Sequence, residues 1–154
     1  GAGDGHQPVF HTAPPGGGLV TPRVLVVDDE PALRRTLDRA LRAMGYDVVT
    51  AGDAQLAYGI LHEAEVDLVL LDLHLPQMSG DTFFVALMHR WPRLADRIVL
   101  MTGDTYPEND HWPEELRRSP MLLKPFTLDA LRVTVLAALA GPPSEGRRTS
   151  NGPA

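Results

Sequence analysis

Asp28 and Asp29 close an apolar run that begins at Arg23, and Asp72 closes a second run, from Asp67 to Asp72. Further along, the run Ile98 to Thr102 ends in a hydroxyl, and Leu122-Leu123-Lys124-Pro125 ends in a cation. If these runs are parallel strands of one sheet, their carboxyl ends share an edge, where open α/β sheets place ligands. Carboxylates crowded there repel, so either one takes up a proton or the group binds a cation. Oxygen donors without His or Cys partners suit Mg²⁺, which keeps several waters and needs only one or two protein carboxylates. Three carboxylates carry −3, and one divalent ion with Lys124 supplies +3, a balanced pocket. An incoming phosphoryl group would find its oxygens held by the metal, Lys124, the Thr102 hydroxyl and backbone N–H groups. The nucleophile would be a carboxylate, because Asp can form an acyl phosphate.

The elements that must position these residues are legible in the hydrophobic pattern. Short apolar runs alternate with amphipathic stretches, which predicts βαβ units and a doubly wound parallel sheet with helices on both faces. After the first strand, Leu33, Leu37, Leu41 and Met44 recur at helical spacing, with Pro31 in the first turn and Gly45 at the stop. Asp47 to Ala51 reads as a second strand, and Asp53 as the cap of a helix running to about Glu63. Val66 to Asp72 is the third strand, followed by a helix from Gly80 to about Arg90, capped by Ser79 and ended by Pro92. Ile98 to Thr102 and Met121 to Lys124 complete five strands. Thr127 opens a last helix with Leu128, Leu131, Val135, Leu136 and Leu139 as its expected buried stripe. Between Gly103 and Pro120, two prolines restrict any helix to a short, mobile piece starting near Pro113.

Composition narrows the field. The 154 residues suit one domain. Residues 1–21 and 141–154, rich in Gly and Pro, read as a flexible linker and a disordered tail around a globular part from 22 to 140. A formal net charge of −6 argues against non-specific nucleic-acid binding. The absence of cysteine excludes disulfides and thiolate chemistry and is compatible with a cytoplasmic location. No apolar run approaches a membrane span, so no membrane partner is expected.

Four motifs in order, Val27-Asp-Asp-Glu30, Leu71-Asp-Leu-His-Leu-Pro-Gln-Met-Ser-Gly80, Met101-Thr-Gly103 and Leu123-Lys-Pro-Phe126, resemble those of the receiver domains of two-component response regulators. The resemblance covers residues 23–140 and implies the flavodoxin-like receiver fold. It implies that Asp72 is the phosphoacceptor and that Asp29, Asp72 and the backbone carbonyl of His74 ligate Mg²⁺, with Asp28 assisting through bound water. Thr102 and Lys124 would contact the phosphoryl oxygens, and Lys124-Pro125 would be a cis peptide. The implied partner is a sensor histidine kinase or a histidine phosphotransfer domain, with a homodimer as a further option. The chain would be a stand-alone receiver or the terminal receiver of a hybrid sensor kinase, the amino-terminal linker favouring the latter. One departure is Met121, where the family usually carries Tyr or Phe three residues before the lysine. Another is the atypical stretch Tyr106 to Pro113.

Each residue taken singly has a plainer reading. Acids at strand ends are often solvated caps, Thr102 a strand-end hydroxyl, Lys124 a surface charge. Trp91 and Trp112 read as packing residues or exposed anchors, and His74 as a residue whose carbonyl, not ring, matters. It is the combination that makes a site. Two other functions compete with a phosphorylatable switch. A phosphorylation-silent interaction or dimerisation module would keep the fold without cycling phosphate. A phosphatase of the haloacid dehalogenase type also uses an Asp nucleophile with Mg²⁺, but Asp72-Leu-His-Leu75 lacks that family's second acid.

Overall fold

In a computed structural model of the chain, residues 21–76, 78–103 and 112–141 are described. The expected linker and tail, and most of the atypical stretch before Trp112, lie outside them. The strands are β1 (Arg23–Val27), β2 (Asp47–Ala51), β3 (Leu68–Asp72), β4 (Ile98–Thr102) and β5 (Met121–Leu123). The helices are α1 (Pro31–Ala43), α2 (Ala54–Glu63), α3 (Gly80–Arg90), α4 (Glu114–Arg118) and α5 (Leu128–Ala140), with a 3₁₀ turn at Pro92–Leu94.

All strand pairs are parallel, in the order β2-β1-β3-β4-β5. Because β3 and β4 are buried along their whole length, they read as continuous apolar runs, not as alternating ones. Successive residues still face opposite sides. Leu25, Val27, Val69, Leu71 and Leu100 meet α2, α3 and α4 through Ile60, Phe83, Phe84, Leu87 and Leu116. Val24, Val26, Leu68, Leu70 and Val99 meet α1 and α5 through Leu37, Leu41, Leu131 and Val135. The chain leaves β1 for β2 on one side and returns past β1 to β3 on the other. The carboxyl ends of β1 and β3 therefore flank the crevice at which the winding reverses.

Local signals worked as read at several helix ends. The Asp53 carboxylate accepts from Leu56 N at 2.8 Å and the Thr127 hydroxyl from Ala130 N at 2.9 Å. Gly45 takes a φ of +101° after α1, a left-handed conformation that a side chain would strain. The short α4 is one turn long, with Glu114 and Glu115 in its first turn and Arg117 and Arg118 in its last.

Four expectations need correction. Ser79 stands at the N-cap of α3, but its hydroxyl donates to Thr82 Oγ1 at 3.0 Å and caps no backbone N–H. β3 starts at Leu68, not Val66, because Asp67 instead braces β1: its N donates to Arg23 O at 2.8 Å, and its carboxylate accepts from Arg23 N at 2.8 Å. β5 ends at Leu123; Lys124 N still donates to Thr102 O at 2.7 Å before Pro125, which has no N–H, turns the chain away. In α5 the buried stripe is Leu131, Val135 and Ala138, while Leu128 and Leu136 are 61% and 56% exposed. At about 100° per residue, Leu136 sits a quarter turn off that stripe.

Candidate functional site

Asp28 follows β1 and is completely buried, yet every polar atom of it that the structure accounts for is engaged. Its N–H continues the ladder to Ala51 O at 3.1 Å. Its carbonyl accepts from Arg34 Nη1 at 2.7 Å. One carboxylate oxygen accepts from Glu30 N at 2.9 Å and the other from Lys124 Nζ at 2.7 Å. These donors stand where burial has removed water from the Asp28 carboxylate. Arg34 reaches from α1 across Gly52, where a Cβ would lie 3.0 Å from its Nη1. Lack of a side chain at Gly52 leaves that guanidinium its path.

Asp72 ends β3 and is only 3% exposed. Its Oδ1 accepts from His74 N at 3.0 Å, and its Oδ2 lies 3.5 Å from Lys124 Nζ. Burial raises its pKa above the usual 3.8, and Asp28 and Asp29 push the same way; the His74 N–H and Lys124 act in opposition. For Lys124, burial pulls the ammonium down. The hydrogen bond and charge of Asp28, with those of Asp72, outweigh that, so its pKa is raised above the usual 10.5. Lys124 is thus a fixed cation between two buried acids.

Asp29 is exposed beside this pair, and one carboxylate oxygen from each of Asp28, Asp29 and Asp72 lies within 4.8 Å of the others. Both carboxylate oxygens of Asp28 and Oδ1 of Asp72 already hold donors, and Asp29 is the exposed acid of the three. Such an all-carboxylate donor set fits a hard divalent cation.

Thr102, at the end of β4, is fully buried, and its Oγ1 lies 3.2 Å from His74 Nε2. The structure brings Asp28, Asp29, Asp72, Thr102 and Lys124 together at one edge of the sheet. The Lys124-Pro125 peptide is cis. Sequence reasoning missed three contributors. The ring of His74 touches Thr102, a contact signalled only by a polar side chain two residues past a strand-end acid. Arg34 holds the Asp28 carbonyl from a helix position that reads as solvated. Gly80 lets α3 start against the end of β3, since a Cβ there would stand 2.4 Å from Leu73 Cα and 2.9 Å from Asp72 O.

Trp91 packs edge-on against Tyr58 and His62 with ring centroids 5.0 and 5.1 Å away, and Trp112 packs on the core, so both indoles are packing residues. Met121 packs on the same core face, diagonal to Thr102 across the β4–β5 pair.

With this geometry in place, comparison with known proteins gives one answer. The family model for the response regulator receiver domain matches residues 24–136, and the chain belongs to that family. It is 35% identical over 112 residues to the sensor histidine kinase RcsC of Salmonella typhi, covering 73% of this chain and 12% of that protein. Among solved structures, the chemotaxis protein CheY4 of Vibrio cholerae is similar at a TM-score of 0.70 and 28% identity, covering 77% of this chain and 98% of that one. The response regulator TrrA of Thermotoga maritima, solved in complex with Mg²⁺-BeF, is similar at a TM-score of 0.67 and 28% identity, covering 77% and 99%. The chain spans 12%, 25% and 49% of the length of three curated relatives, RcsC, the regulatory protein AtoC of Escherichia coli and the probable transcriptional regulatory protein TcrX of Mycobacterium tuberculosis. Receiver domains are signalling domains of two-component systems, and the five-stranded parallel sheet found here is their flavodoxin-like fold. Among the described residues, no helix is long and apolar enough to cross a membrane.

Proposed function

We propose that Asp72 is the phosphoacceptor of this receiver domain and that it takes a phosphoryl group from the phosphohistidine of a sensor histidine kinase or histidine phosphotransfer domain. One observation carries the reading: Lys124 Nζ stands 2.7 Å from Asp28 and 3.5 Å from Asp72, with an Asp29 oxygen inside the same cluster. In the transfer, an Asp72 carboxylate oxygen attacks phosphorus. A P–O bond forms, the P–N bond to the donor imidazole breaks with its electron pair returning to nitrogen, and the ring, already protonated on its other nitrogen, leaves as neutral imidazole. Asp29, Asp72 and the His74 carbonyl would hold Mg²⁺, with Asp28 assisting through water. The ion would supply charge neutralisation of the transferring group. Lys124 neutralises the oxygens from the other side, and Thr102 donates its hydroxyl to one of them. The His74 N–H on Asp72 Oδ1 directs the other carboxylate oxygen, Oδ2, toward the lysine and the incoming group.

A groove of about 500 Å³ opens beside Lys124, lined by Leu33, Thr36, Phe126 and the exposed Leu128 among others. Its apolar floor next to the site suits a helical histidine donor. The domain acts as a switch in the cytoplasm, hydrolysing its own acyl phosphate, with no nucleic acid or membrane as partner; a homodimer is compatible with this role.

Incubating the protein with acetyl phosphate and Mg²⁺ tests the reading by intact-protein mass. One phosphoryl group is expected on wild type, removable by hydroxylamine and absent from Asp72→Asn and from EDTA-treated samples. A wild type that stays unlabelled, or an Asp72→Asn variant that labels equally, contradicts it.

A further inference from the structure

We propose that the side chain of His74 is a positioning residue for Thr102, its ring Nε2 fixing the Thr102 hydroxyl so that the hydroxyl proton is directed at the phosphoryl group on Asp72. The inference rests on Asp72 being the acceptor. Nε2 and Oγ1 are 3.2 Å apart and join the loop after β3 to the end of β4. The same residue holds the acceptor by its main chain, His74 N donating to Asp72 Oδ1 at 3.0 Å. His74 therefore ties the carboxylate and the hydroxyl into one fixed relation across two strands.

The direction of that hydrogen bond follows from what the hydroxyl must do. A Thr hydroxyl has one proton and two lone pairs, and phosphoryl oxygens only accept. Thr102 can serve them only by donating, so in the productive arrangement Nε2–H donates to an Oγ1 lone pair and leaves the O–H for the phosphoryl group. Without the ring, Thr102 loses the side-chain contact that ties it to the loop after β3, and part of the advantage of a prealigned donor is lost. Because His74 itself is exposed, the contact contributes little to holding the fold together, and its loss is expected in the rate, not in melting.

The test is a double-mutant cycle on the full chain, reading the rate of Asp72 labelling by acetyl phosphate at fixed Mg²⁺. His74→Ala and His74→Phe are each expected to slow labelling about two- to tenfold, the range set by one hydrogen bond. His74→Gln, whose amide N–H reaches about as far as Nε2, should recover most of the loss. In a Thr102→Ala background, His74→Ala should change nothing further. Equal slowing by His74→Ala in both backgrounds means that His74 acts by shielding or by its main chain, and overturns the inference. So does a wild-type rate for His74→Phe, or His74→Gln as slow as His74→Ala. A wild type that does not label at all removes the acceptor reading and this inference with it, whereas a labelled wild type with a failed cycle removes only this inference.

Discussion

Asp72 is a carboxylate kept in a place that disfavours its charge, and that conflict is measurable. Its folded pKa is raised, so between 3.8 and that raised value the folded state binds more protons than the unfolded chain. Stability is therefore full below 3.8 and falls as pH rises through the folded pKa. At neutral pH and without metal, Asp72→Asn should melt at a higher temperature than wild type, because it removes a charge that burial disfavours. The advantage should shrink as pH is lowered toward 4. An unchanged or lowered melting temperature in EDTA contradicts this account of the pocket. Lys124 behaves oppositely. Replacing it by Met leaves buried Asp28 without its 2.7 Å partner and Asp72 without its nearest cation. Lys124→Met should lose about 1–3 kcal/mol of stability by urea titration and label about a hundredfold more slowly. A variant that labels at the wild-type rate removes Lys124 from the reaction. Because the Lys124 pKa is also raised, its pairing is intact below pH 10.5 and is lost only above that, outside any working range.

The elements matter through their ends. Strand-end acids, helix caps and the helical periods of α1 were legible because each depends on residues close in sequence. Failures occurred where a distant partner decided the outcome. Ser79 looks like a cap, yet Gly80 N donates to Leu73 O at 3.0 Å, so the β3 end itself serves the start of α3. Leu128 and Leu136 look like core, but α5 faces the sheet through the Leu131–Val135–Ala138 stripe, with Ala130 and Leu139 partly buried beside it. The Asp28–Lys124 contact joins residues 96 apart, and composition alone could not show which carboxylate the ammonium would choose. The seam between β3 and α3 makes a prediction at this scale. Gly80→Ala must push α3 away from Leu73 Cα and Asp72 O, which are backbone atoms that cannot swing aside. It should cost about 1–3 kcal/mol in chemical denaturation and slow labelling of Asp72, because the acceptor moves with its strand end. A fully stable and active Gly80→Ala protein would show that the seam is looser than its contacts indicate.

For the whole molecule, the sheet order brings the ends of β1, β3, β4 and β5 together, and the fold works as a frame for charges that repel one another. A cation that binds the folded cluster and not the unfolded chain must stabilise it. Mg²⁺ at about ten times its Kd should add about 1.4 kcal/mol to unfolding. EDTA should reverse the gain and Asp29→Asn should abolish it, with no such response expected to Na⁺ at equal ionic strength. Equal stabilisation of wild type and Asp29→Asn would place the ion elsewhere. The central claim is narrower: one acyl phosphate, on one residue. It is tested most directly by phosphorylating the full chain with acetyl phosphate and Mg²⁺, reducing with borohydride, which converts an aspartyl phosphate to homoserine, and mapping the product by peptide sequencing. The account predicts homoserine at position 72 and nowhere else. Homoserine at 28 or 29, or an unreduced Asp72 in protein that carries phosphate, would contradict it.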